Sequence, residues 1–161
     1  MRARMRRLLA NHSQERRAIT DKPSSSTASR ADLIAALARP PRLGDFGMGA
    51  AKAVISLRLV ALCVQSGHDP IAVLARRLGG VGEAKAMFGF LDRCGAVWPE
   101  RMAVHRPCCP VLGPDEATLA AMAMAADAGD HRAFERVLDG FIRPDRREGL
   151  FIAAMGAMAQ L

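Results

Sequence analysis

The chain contains no tyrosine, one tryptophan and six phenylalanines, so aromatic residues occupy only 4% of its 161 positions. A core without many rings has to be built from Ala, Leu, Val and Met, a mixture that favours helices over sheets. Any fixed glycine period is also missing, and half of the residues are hydrophobic. Together these exclude a collagen-like or low-complexity chain and one with too little to bury. No disulfide or metal is needed merely to hold the fold, because a chain of this length removes about two-thirds of its unfolded surface from water. Absent too are G-x-S-x-G, P-loop, H-E-x-x-H and dinucleotide fingerprints. Without them the expectation is a non-enzymatic module.

Positive charge is plentiful but unevenly placed. The formal net charge is +7, yet residues 1–30 hold eight basic groups against Glu15 and Asp21, a surplus of six, while the other 131 residues hold 15 basic and 14 acidic groups. Charge so localised describes an arm and not a basic domain face. In one reading Arg2, Arg4, Arg6, Arg7, Arg16 and Arg17 meet a polyanion, either nucleic acid, an acidic protein surface or an anionic lipid surface. A second is an organelle transit peptide, and a third is a solvated tail, or an upstream start with Met5 or Met48 as the initiator. No apolar run of the secretory type follows the arginines, and four thiols without such a signal point to a reducing, cytoplasmic setting. The longest apolar stretch, Met48 to Gly67, contains Lys52 and Arg58. Each such charge at a bilayer centre costs about 2.5–3.5 kcal/mol, so a core helix is predicted there and not a membrane span.

Punctuation by Pro, Gly and capping residues divides the chain. The segment from Lys22 to Ser29 has almost nothing to bury and reads as a linker. Ser29 and Asp32 form a capping pattern ahead of Leu33, Ile34 and Leu37, and Pro40-Pro41 ends that stripe. Further helices are predicted from about Gly47 to Ser66, Ile71 to Leu78, Gly82 to Cys94, Pro114 to Gly129, Asp130 to Asp139, and Pro144 to near the end, with a loop from Ala96 to Pro110 containing one extended piece. Leu119 and Met122, with Met124, mark the inward side of the fifth helix; Leu150, Phe151, Ala154, Met155 and Met158 mark that of the last. The expected fold is an all-α, single-domain bundle of six or seven helices over residues 29–161, preceded by a disordered basic arm and linker over residues 1–28.

The local chemistry is concentrated in His105-Arg106-Pro107-Cys108-Cys109-Pro110. With Cys94 eleven residues before His105, a trial zinc set of Cys94, His105, Cys108 and Cys109 can be assembled, although neighbouring cysteines diverge unless the backbone bends sharply. A thiol near the start of the fifth helix also suits redox exchange, giving a thiol- or metal-dependent sensor as the rival function. Cys109-Pro110 matches a minimal haem-regulatory dipeptide as well. The plainest reading makes both thiols small apolar fillers that pin a proline-rich turn. Residues Ile71 to Asp92 have the outline of a helix-turn-helix DNA-binding regulator, but the second helix offers few cations and no Arg, Asn or Gln for base edges. His68 and His131 adjoin Asp69 and Asp130 at helix starts, and Asp115-Glu116 reads as a pair of dipole partners before an acid/base couple.

The stretch H-R-P-C-C-P-V-L-G-P-D-E-A-T-L, followed by an Ala-rich helix, resembles a family of uncharacterised small bacterial proteins with a Cys-Cys-Pro segment, a short spacer and an acidic pair opening a helix. Members often carry a third cysteine where this chain has Pro107, which weakens a thiolate cluster. The likeness extends over about residues 43–142 and implies a bacterial cytoplasmic setting, with no activity attached.

Overall fold

In a computed structural model the described residues are Leu9–Ala10 and 39–161. The expected arm and linker over 1–28 and the capped helix beginning at Ser29 lie outside them, apart from Leu9–Ala10. The fold is all-α. Six α-helices are present among the described residues: α1 (Met48–Ser66), α2 (Pro70–Leu78), α3 (Val81–Val97), α4 (Pro114–Asp127), α5 (His131–Leu138) and α6 (Pro144–Met158). A 3-10 turn, Leu43–Asp45, precedes α1. Two short strands, β1 (Leu9–Ala10) and β2 (Met102–Ala103), pair in parallel with Leu9 opposite Met102.

Local chemistry places each boundary. Gly67 ends α1 in the left-handed region at φ 73°, and Asp69 then caps α2, its carboxylate accepting from the Ile71 N–H while Pro70 fills the first helical position. Gly79 closes α2 at φ 111°, a conformation that L side chains rarely adopt. Asp130 caps α5 through the Ala133 N–H. The fourth predicted helix, expected to end at Cys94, falls short because α3 continues to Val97, where Pro99 forbids further turns.

Helix α3 is the hub, packed along α2 and α6 and touching α1, while α4 lies against α1, α5 and α6. Arg58 of α1 meets Glu116 at the start of α4, and a methyl group on Gly49 would touch Asp127 at its end, so the two helices run antiparallel. Ala50, Ala53, Ala120, Ala123 and Ala154 are buried at these seams, where their small side chains allow backbones to approach. Larger side chains fill the space between: Leu57, Leu74, Met87, Phe90, Leu91, Leu119, Met122, Phe134 and Leu138 are fully buried. Each such burial stabilises the fold by roughly 1.5–3 kcal/mol. Phe134 and Phe151 meet edge to face at 5.1 Å between centroids.

Two inward assignments are corrected. Met124 and Met155 are exposed. The inward face of α4 is set by Leu119, Met122, Ala123 and Ala126, and two positions beyond Met122 is a rotation of about 200° that points to the opposite side. On α6 the inward set is Leu150, Phe151, Ala154, Ala157 and Met158. Among the described residues, α1 is the helix whose length and composition suffice to cross a membrane. Half of its apolar window is buried inside the bundle, as is Arg58 within it.

Candidate functional site

The loop between α3 and α4 carries the Cys-Cys-Pro segment, and it is fixed by a buried charge network that joins three parts of the chain. Glu116 is the third residue of α4 and fully buried, as is Arg58 in the middle of α1. Arg58 Nε donates to Glu116 Oε1 at 2.7 Å and Nη2 to Oε2 at 2.9 Å, a bidentate pair. The remaining lone pairs of the carboxylate receive the His105 N–H at 3.0 Å, the Gly113 N–H at 3.0 Å and His105 Nδ1 at 2.8 Å. Arg58 also donates through Nη1 to the Cys109 carbonyl and through Nη2 to the Val111 carbonyl at 2.9 Å.

Every charged group in this network is therefore matched. Burial on its own pushes the Glu116 carboxyl up, but the hydrogen bonds from Arg58, the Gly113 amide and the ring and amide of His105 outweigh it and hold the carboxyl below its usual value of 4.5. Glu116 is thus an ionised acceptor inside the protein. Its position three residues after the N-cap Gly113 lets it accept the Gly113 N–H as one half of a capping box, while Asp115 beside it turns to the preceding loop. Asp115 accepts from Trp98 Nε1 at 3.1 Å and from the Ala103 N–H at 2.7 Å. The acidic pair is more than a set of dipole partners: it receives the N–H groups of the loop that precedes it.

Backbone pairing pins the loop from the other side. The Leu43 N–H donates to Pro110 O at 2.9 Å and the Leu112 N–H to Pro41 O at 2.8 Å, around a bridge between Arg42 and Val111. At the tip the Cys109 N–H donates to Arg106 O at 3.0 Å, closing a β-turn with Pro107 at its second position. Cys108 is exposed and Cys109 half-buried. The expectation that both thiols are buried fillers is corrected here: Cys108 is open to solvent and Cys109 only partly covered, and the turn is pinned by its carbonyls.

The trial zinc set does not converge. Cys94 is fully buried on α3, and among the described residues no three His, Cys, Asp or Glu side chains come together in a way that could hold a metal ion. His105 is tied to Glu116 through Nδ1, with its side chain 42% exposed. Cys108 and Cys109 sit on the turn beyond it. His131 instead lies against Phe151 and pairs with Glu148 at 2.9 Å, and His68 follows the α1 C-cap. The arm residues Arg2, Arg4, Arg6, Arg7, Arg16 and Arg17 lie outside the described residues. The pairing of Leu9–Ala10 with β2 brings the arm's chain to the loop that also carries the exposed Arg101 and Arg106.

Sequence reasoning treated Arg58 only as an obstacle to a membrane span and missed its place in this network. The available signal was an arginine in mid-helix among Leu57, Leu59 and Val60, a place where a cation is buried only with a partner. Away from this network, an open groove of about 560 Å³ between α3 and α6 is lined by Asp92, Arg93, Asp145 and Arg146 among apolar residues. Its charges compensate, with Arg146 paired to Asp145 at 3.4 Å, and it presents no nucleophile. No protein-family model matches the chain, and no curated protein or solved structure matches it either.

Proposed function

We propose that the protein is a non-enzymatic binding module that meets a polyanion, nucleic acid or an acidic protein surface, through its basic arm. The observation that carries this reading is the division of charge: eight cations against two carboxylates in residues 1–30, and near balance in the rest. The two buried arginines of the body, Arg58 and Arg147, are engaged with carboxylates and carbonyls and so are not offered to a partner. The β1–β2 pairing supports the same reading, since it seats the arm's chain beside Arg101 and Arg106.

The helical hairpin of α2 and α3 gives less support to a helix-turn-helix reading. Helix α3 is packed against α1, α2 and α6, and the cations it turns outward are Lys85 and Arg93. A groove-reading helix needs a free, cation-rich face.

The test is a salt titration of duplex binding with the full chain and with a variant in which all six arm arginines are changed to alanine. Each phosphate contact contributes about −0.9 to the slope of log K against log salt for B-form DNA. The native chain is expected to bind with a steep slope and the variant with a shallow one or not at all. Equal slopes would overturn the assignment to the arm.

A further inference from the structure

The four thiols fall into two classes. Cys94 is buried at the end of α3, where burial pushes its thiol far up and its own backbone only partly opposes this; burial followed by the Asp69 charge raises that of Cys63. The thiolate is the nucleophile in sulfur chemistry, so both are held back. Cys108 and Cys109 are the opposite case: adjacent, outside the core and set on a turn whose backbone is anchored to Arg58, Pro41 and Leu43.

We propose that Cys108 and Cys109 form a thiol–disulfide exchange site for low-molecular-weight disulfides such as oxidised glutathione. Cys108 is the attacking group, as the exposed member of the pair. Its thiolate bonds to one sulfur of the small disulfide; that S–S bond breaks, and one small thiolate leaves with the electron pair. The Cys109 thiolate then attacks the Cys108 sulfur and displaces the second small thiolate. Two protein thiols are oxidised to one disulfide, one small disulfide is reduced to two thiols, and the two protons lost by the cysteines end on those thiols. A disulfide closed across a single peptide bond is strained and hence readily reduced, which makes the site reversible.

The site is wired to the core. The peptide that the ring twists carries the turn's own hydrogen bond, from the Cys109 N–H to Arg106 O, and the next carbonyl along is the one held by Arg58 Nη1. Oxidation at the tip therefore loosens the seat of Arg58 and, through it, the His105 and Gly113 amides bound to Glu116.

The experiment incubates the reduced full chain with oxidised glutathione and follows thiol count, intact mass, peptide mapping and amide hydrogen exchange. The native chain is expected to lose two of its four thiols and two hydrogens in mass, with no glutathione retained and the disulfide mapped to Cys108 and Cys109. Cys109→Ser should retain one glutathione on Cys108, and Cys108→Ser should lose no thiol pair. No reaction, a persistent adduct on the native chain, a disulfide through Cys63 or Cys94, or Cys109→Ser behaving as the native chain would each overturn the exchange site. In the oxidised protein the His105 and Gly113 amides should exchange several-fold faster, and unchanged exchange would overturn the coupling to the core.

Discussion

Among the described residues two arginines are buried, and they do different work with the same donor chemistry. Arg147 lies on α6 and reaches only back along its own stretch of chain, with Nε donating to Ile142 O at 2.7 Å, Nη1 to Glu135 at 2.9 Å and Nη2 to Asp139 at 3.3 Å. The bond to Glu135 raises its pKa, burial lowers it, and the net displacement is upward. Arg58 reaches more than fifty positions ahead in sequence, to Glu116, Cys109 and Val111. Its carboxylate partner is fully buried, whereas those of Arg147 keep 33% and 82% of their side-chain surface exposed. The difference teaches that sequence separation and burial of the partner decide the consequence of losing a clamp. Arg147 tidies one helix corner, while Arg58 decides where the whole loop between α3 and α4 sits.

Breaking the comparison at its strong side should give the largest effect. Glu116→Ala leaves a buried guanidinium unpaired and strips the His105 and Gly113 amides of their acceptor, so a loss of about 3–5 kcal/mol is expected in urea unfolding. Acid sharpens the same point. The folded pKa of Glu116 lies below its usual 4.5, so the contribution of the pair is complete above that value and is lost as the pH falls through the folded pKa. A Glu116→Gln chain should lack that part of the acid-induced loss, as read from unfolding midpoints across the acid range. At the weak side, Arg147→Ala should lower the urea midpoint less than Glu116→Ala does, because water already solvates its partners. The smallest effect belongs to neither clamp: Asp130→Ala removes an exposed helix cap and should cost about 1 kcal/mol, confined to faster exchange at the start of α5.

Much of the fold was legible because its punctuation is local. Asp69-Pro70, Gly79-Gly80, Gly113-Pro114 and Asp130 each mark a boundary by a rule that involves only near neighbours, and the helix starts and ends fall within a few residues of where those rules put them. The extended piece after Pro99 appears as β2. The network was not legible for the converse reason. Nothing near Arg58 in sequence announces Glu116, which lies 58 positions on, and the acidic pair at the head of α4 satisfies the helix-start pattern without a distant partner. The Cys-Cys-Pro loop was found by its composition, but its architecture was misassigned to the sulfurs. It resides in the carbonyls of Cys109, Pro110 and Val111, whose partners no spacing rule foretells.

That one ionised, buried pair seats the loop can be tested most directly by a double-mutant cycle on urea unfolding, using Arg58→Met, Glu116→Gln and the combined variant. The pair predicts strong coupling: the combined variant should be more stable than the sum of the single losses by an amount toward the upper end of about 0.5–3 kcal/mol, because removing both charges leaves neither buried alone. Additivity of the two losses to within about 0.5 kcal/mol would contradict it.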